Sequence, residues 1–177
     1  MNDRELLYSS SLYSAAVEEN ASKEVYDSLQ LVASVISDSP EYIRIINSVS
    51  LPLETRENLI DEAFSGNVHV FVLNFLKLLA KRRIANIFLP CVKNYEKLYF
   101  KDNNIERATI TTAIELAEDK KREIVGKIEA SSGKKVIPSF IVSPDIVGGI
   151  VIETESSAID ASVKTKLESI RRYISKN

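Results

Sequence analysis

Apolar residues recur with helical spacing through the first hundred positions. From Glu5 to Glu19, Tyr8, Leu12 and Ala16 share one face, while Ser9, Ser11 and Ala15 keep that stretch thin. Val25, Leu29, Val32 and Ile36 make a second stripe between Lys23 and Ser37. Ser39 is expected to cap a third helix that Pro40 opens, with Ile43, Ile46 and Val49 inward and Pro52 ending the run. Leu59, Ile60, Ala63 and Phe64 mark a fourth helix, stopped by Gly66. Val68, Phe71, Val72, Phe75, Leu76 and Leu79 mark a fifth. The sixth carries Ile84, Ile87, Phe88, Cys91, Tyr95, Leu98 and Tyr99; Pro90 inside it is expected to kink or break the helix.

The period changes near Asn103-Asn104. "RATITTAI" alternates, with Ala108, Ile110 and Thr112 on one side, and reads as a strand. "DKKREIVGKIEASS" returns to helix, with Ile124, Val125 and Ile128 inward. "KKVIPSFIV" is a second strand, and Pro138 places it at an edge or a bulge. "GGIVIET" is a third, and a last helix runs from Ser162 to Ser175 with Val163, Leu167, Ile170 and Ile174 as its stripe. The expected fold class is therefore α+β: an N-terminal six-helix bundle over 1–104, followed by a small C-terminal α/β domain over 105–177.

Composition narrows the function. The 177 residues are enough for one domain or two small ones, and 45% hydrophobic with 27% charged residues is ordinary for a globular chain. Lys and Arg number 11 against 14 Asp and Glu through Asn104, and 12 against 11 after it. Neither half has the basic footprint of a nucleic-acid binder. Cys91 is the single cysteine, so an intrachain disulfide and a cysteine-based metal cluster are both ruled out. No apolar run reaches the roughly 18–20 residues of a spanning helix. "MNDRELLYSSS" reads neither as a signal peptide nor as an Arg-rich transit peptide.

Catalytic chemistry finds no foothold. A P-loop needs GxxxxGK[ST] after a strand; Gly126 and Gly133-Lys134 are too far apart, follow a helix, and have Lys135 where a hydroxyl is required. Gly148-Gly149 leads into a strand and offers phosphate no helix N-terminus, so a turn needing positive φ is its expected role. His69 is the sole histidine and is expected at a surface or cap position, Cys91 in the core. Lys81, Arg82 and Arg83 read as a solvated helix end, with contact to an acidic partner as the alternative. No cofactor, metal site or catalytic residue is expected.

Three blocks carry a family resemblance. The first is Asp145, Gly148-Gly149, Ile150 and Ile152, followed by Ile159-Asp160, Ser162-Val163 and Leu167. The second is "NFLKLLAKRR", Asn74 to Arg83, and the third is Tyr8 to Tyr13, where serine replaces the family's alanines. With this order of elements the chain resembles the delta subunit of F-type ATP synthase, the oligomycin-sensitivity-conferring protein family, over essentially its whole length. The resemblance implies a non-catalytic stator in the peripheral stalk. Its bundle would receive N-terminal helices of the head's alpha subunits. Its C-terminal domain would meet C-terminal helices of the membrane-anchored b subunits.

In that family the receiving groove lies between the first and fifth helices, which points here to Tyr8, Leu12, Asn74 and Leu78. Asn74 is expected to be a polar amide on or beside an apolar face, awaiting a partner's backbone. Gly148 and Gly149 are read as architectural, letting another element approach closely. Asp160 and Ser162 are read as caps of the last helix, and Val151 through Lys166 as the stalk-facing stretch. The location implied is the cytoplasmic face of a bacterial inner membrane, reached only through the complex, or its organellar equivalent. The alternatives are a helical RNA-binding factor and a generic helical adaptor.

Overall fold

The structure, a computed structural model, describes residues 3–144, 146, 148–154 and 158–160. Among them are seven α-helices and one four-stranded sheet, an α+β fold. The chain divides into two compact units, one ending at Phe100 and the other beginning at Lys101.

The first unit contains α1 (Asp3–Glu18), α2 (Ser22–Asp38), α3 (Glu41–Ile46), α4 (Leu53–Phe64), α5 (Val70–Lys81) and most of α6 (Phe88–Asp102). Its core gathers the expected stripes: Ala16 of α1, Val25, Leu29, Val32 and Ile36 of α2, Ile60 and Phe64 of α4, Leu76 and Leu79 of α5, and Phe88 and Tyr95 of α6 are all buried. Ring contacts add direction, with Tyr13 edge-on to Tyr95 at 5.1 Å and Tyr42 edge-on to Phe64 at 5.7 Å. Gly66 ends α4 with φ +81°, a conformation that costs a residue bearing a Cβ.

Several local expectations are corrected. Ser39 places no side-chain cap on α3. Its backbone N–H instead closes α2 on Val35 O, its carbonyl accepts from Tyr42, and Pro40 takes the N-cap position. Helix α3 stops at Ile46; Asn47 caps it with its N–H on Ile43 O, while its Oδ1 accepts from the Ala85 N–H. Val49, expected in the core, is thereby carried past the helix and is 73% exposed. Pro90 neither kinks nor breaks a helix. Residues Ala85–Ile87 form a separate 3-10 turn, α6 starts at Phe88, and Pro90 falls in its first turn, where a missing N–H costs least.

The sequence stripes also missed Arg56. It is 4% exposed in the first turn of α4, and its guanidinium donates to the carbonyls of Ala80 and Ile46, at the ends of α5 and α3. Beside it, Lys77 of α5 pairs with Asp61 of α4 at 2.6 Å.

The second unit holds β1 (Ile105–Thr112), α7 (Glu118–Ser132), β2 (Lys135–Val142), β3 (Ile150–Thr154) and β4 (Ala158–Asp160), in the sheet order β2-β1-β3-β4. The strand β2 is parallel to β1 across the α7 crossover; β3 is antiparallel to β1, and β4 to β3. Alternation sends Ala108, Ile110 and Thr112 to one buried face, as the sequence pattern predicts. Ile124, Val125 and Ile128 of α7 pack on that face with Val136 and Phe140. Pro138 lies on β2, the edge strand. Strand β4 has no counterpart in the sequence reading, which ran a turn straight into a helix.

Candidate functional site

The first unit carries a groove of about 260 Å³ between α1 and α5. Tyr8, Ser11, Leu12 and Ala15 form one wall, and Phe71, Asn74, Phe75 and Leu78 the other. Each wall repeats the same spacing, i, i+3, i+4 and i+7, so each helix turns one continuous stripe into the cleft. The floor is set where Tyr8 meets Phe75 edge-on, 6.4 Å between ring centroids. Leu12 and Phe75 are buried, Tyr8 and Phe71 half-buried, and Asn74 and Leu78 exposed at the rim.

Local chemistry explains both walls. Three consecutive serines would weaken an ordinary helix, because their hydroxyls compete for backbone groups. In α1 each turns its hydroxyl back: Ser9 onto the carbonyl of Glu5, Ser10 and Ser11 onto that of Leu7. Ser11 therefore presents its Cβ side to the groove and leaves it shallow. On the other wall α5 starts at His69, whose Nδ1 accepts from the Phe71 N–H while its own backbone N–H donates to Ser28 Oγ of α2. That cap fixes the entry of α5, and with it the direction of Phe71.

The four residues expected to bind a partner, Tyr8, Leu12, Asn74 and Leu78, thus line one cleft. The picture of Asn74 changes in one respect: its amide is exposed, so no burial cost presses on it, and among the described residues it makes no hydrogen bond. Ser11, Ala15, Phe71 and Phe75 line the same cleft but were not among the residues expected to bind a partner. The i+3, i+4, i+7 spacing from Tyr8, and the i−3, i+1, i+4 spacing around Asn74, was the signal that held them.

The remaining candidates scatter. Gly149 has φ +92° and, with Gly148, borders a second-unit cavity. Asp160 ends β4, opposite Val151, and is exposed. Ser162 and the helix it was expected to cap lie outside the described residues, as does the end of the stretch from Val151 through Lys166. Lys81, Arg82 and Arg83 are exposed at the end of α5. Cys91 is buried, with its Sγ 3.6 Å from the Glu5 carbonyl oxygen, and burial pushes its thiol up to about 12. At that value the thiol stays protonated at neutral pH and is a poor nucleophile. Among the described residues no three His, Cys, Asp or Glu side chains cluster to hold a metal, and no helix is long and apolar enough to cross a membrane.

The chain is similar to known proteins along nearly all of its length. A family model described as ATP synthase delta (OSCP) subunit matches residues 6–174. The ATP synthase subunit delta of Prochlorococcus marinus subsp. pastoris is 31% identical over 170 residues, 96% of this chain and 94% of that protein. That of Desulforamulus reducens is 32% identical with the same coverage, and that of Metamycoplasma arthritidis is 29% identical over 99% of this chain and 98% of its own. A chain in the Toxoplasma gondii mitochondrial ATP synthase hexamer shares the fold, with a TM-score of 0.69, 17% identity and 96% of each chain covered.

Proposed function

From membership in the ATP synthase delta (OSCP) subunit family, to which this chain belongs, we propose how its surface serves a non-catalytic peripheral-stalk subunit of F-type ATP synthase. The groove between α1 and α5 receives an N-terminal helix of an alpha subunit of the catalytic head. The observation that carries this reading is the matched spacing of the two walls. Two stripes at helical spacing, apolar at the floor and mixed at the rim where Ser11, Asn74 and Leu78 are exposed, suit an amphipathic helix laid along them. Asn74, exposed with no partner of its own among the described residues, offers an amide to that helix's backbone or polar edge.

The second unit meets C-terminal helices of the membrane-anchored b subunits, through the stretch beginning at Val151. Two contacts of moderate strength on one tethered chain reinforce each other through effective concentration, so the head is held against the rotating shaft without a covalent link. Residues 1–104 serve the head and 105–177 the stalk. The protein works at the cytoplasmic face of a bacterial inner membrane, held there by the complex.

The test is calorimetric titration with a peptide from the N-terminus of the cognate alpha subunit. Saturable one-to-one binding is expected, weakened about tenfold in Asn74→Ala, a loss of about 1.4 kcal/mol, with circular dichroism unchanged. Equal affinity in the variant would remove Asn74 from the site, and absence of binding by the folded wild type would remove the groove.

A further inference from the structure

The two stripes that wall the cleft continue past its apolar residues into charge of opposite sign. One turn beyond Ala15, the same face of α1 reaches Glu18 and Glu19, and the Glu19 N–H still donates to the Ala15 carbonyl. One turn beyond Leu78, the same face of α5 reaches Lys81 and Arg82, and the Arg82 N–H donates to the Leu78 carbonyl. Arg83 follows. All five side chains are exposed and make no ion pair among the described residues.

The two helices run in opposite directions. His69, at the start of α5, donates its backbone N–H to Ser28 of α2. Helix α2 folds back on α1 through the short turn at 19–21, so Ser28 lies level with the second half of α1. At the other end of α5, only the 3-10 turn separates it from α6, whose first turn brings Cys91 to the Glu5 carbonyl of α1. The cleft is therefore acidic at its Phe71 end and basic at its Tyr8 end. Arg4 adds to the basic end, while Asp3 and Glu5 offset only part of it.

We propose that the cleft takes an amphipathic helix in one direction only, with its N-terminal end at Glu18 and Glu19 and its C-terminal end at Lys81 and Arg82. A helix carries partial positive charge and unpaired N–H groups at its start, and partial negative charge and unpaired carbonyls at its end. The antiparallel dipoles of α1 and α5 cancel, so the side chains at the two ends decide the direction. From Arg4 to Glu19 the wall is about 22 Å long, which matches a four-turn occupant. An occupant that is itself an N-terminal segment also brings its α-amino charge toward the acidic end. The direction rests on the cleft being the seat of an alpha-subunit helix, as proposed above, and adds to it: the occupant runs parallel to α5, and the rest of its chain leaves beside Lys81 and Arg82.

The test is nuclear magnetic resonance of the full-length chain with a peptide spanning the N-terminal helix of the cognate alpha subunit, amidated at its C-terminus. A nitroxide is placed in the first or the last turn of the peptide. The first-turn label is expected to broaden the amides of Glu18 and Glu19, and the last-turn label those of Lys81 and Arg82. The reverse pattern, or equal broadening at both ends from one label, overturns the direction and leaves the cleft as the binding site. Absence of binding, or broadening at neither end, overturns the cleft itself and the direction with it. Two double variants, Glu18→Gln with Glu19→Gln and Lys81→Gln with Arg82→Gln, are each expected to weaken binding about threefold at low ionic strength, a difference that closes in about 1 M salt. Unchanged affinity in both overturns the charged ends as the cause of the direction.

Discussion

The ring of Tyr8 meets the ring of Phe75 edge-on at 6.4 Å, joining α1 to α5 at the floor of the cleft. The contact is between aromatic edges and faces, and the hydroxyl is not needed for it. Tyr8→Phe is therefore expected to bind the alpha-subunit peptide within about twofold of wild type, whereas Tyr8→Ala, which opens the floor, weakens it about tenfold or more. Calorimetric titration of the two variants side by side checks this. Equal loss in both would assign the effect to the hydroxyl.

Arg56 ties α4 to the ends of α3 and α5 through the carbonyls of Ile46 and Ala80, while its Nε has no partner among the described residues. Arg56→Ala removes the guanidinium donor from both carbonyls, of which that of Ala80 keeps the Arg83 N–H, and is expected to cost about 1–3 kcal/mol in urea unfolding. Arg56→Met should cost less, because the thioether chain refills the volume and no buried charge remains to be solvated. A Met variant as damaged as the Ala variant would mean that the hydrogen bonds outweigh both terms.

Gly149 has φ +92°, in the region an L side chain resists. Gly149→Ala is expected to destabilise the second unit by about 1–3 kcal/mol. Hydrogen exchange of the β1 and β3 amides reads the loss. Unchanged protection in the variant would show that backbone conformation does not set the need for glycine here.

On α7, Glu123 accepts from Lys120 and Lys127, and these bonds lower its carboxyl from 4.5 to about 2. A depressed folded value means a contribution present above the unfolded value and lost as pH falls from about 4.5 to 2. All three side chains are well exposed, so the effect is small and screened. The acid loss of α7 amide protection is expected to shrink in 1 M salt and in Glu123→Gln. An acid response unchanged by both would place its origin elsewhere.

The sequence was most legible where one period ran unbroken. The stripe of α2 buries every residue its spacing selects, and those of α1, α5 and α7 turn inward with Tyr8, Phe71, Ile124, Val125 and Ile128 half-buried, because a helix face and a core are the same constraint. It was least legible where a tertiary bond ended an element. Nothing before Asn47 announces that its side chain will turn to Ala85 and leave Val49 outside. Pro90 misled because a 3-10 turn and a helix start share the apolar pattern of one longer helix. Arg56 broke the reading in the other direction: a charged side chain predicts exposure, and only two distant helix ends make its burial tolerable. Half of the cleft was read through a family resemblance; Ser11, Ala15, Phe71 and Phe75 were within reach of spacing alone.

The most direct measurement places a photoreactive side chain at Ser11, in the cleft, or at Val35, exposed on α2, within the assembled F-type ATP synthase. Mass spectrometry then identifies the partner residues captured. Capture of the alpha subunit's N-terminal segment from position 11, and not from position 35, is the expected result. Capture of that segment from position 35 alone, or of no alpha residue from position 11, would contradict the cleft as the seat of the catalytic head.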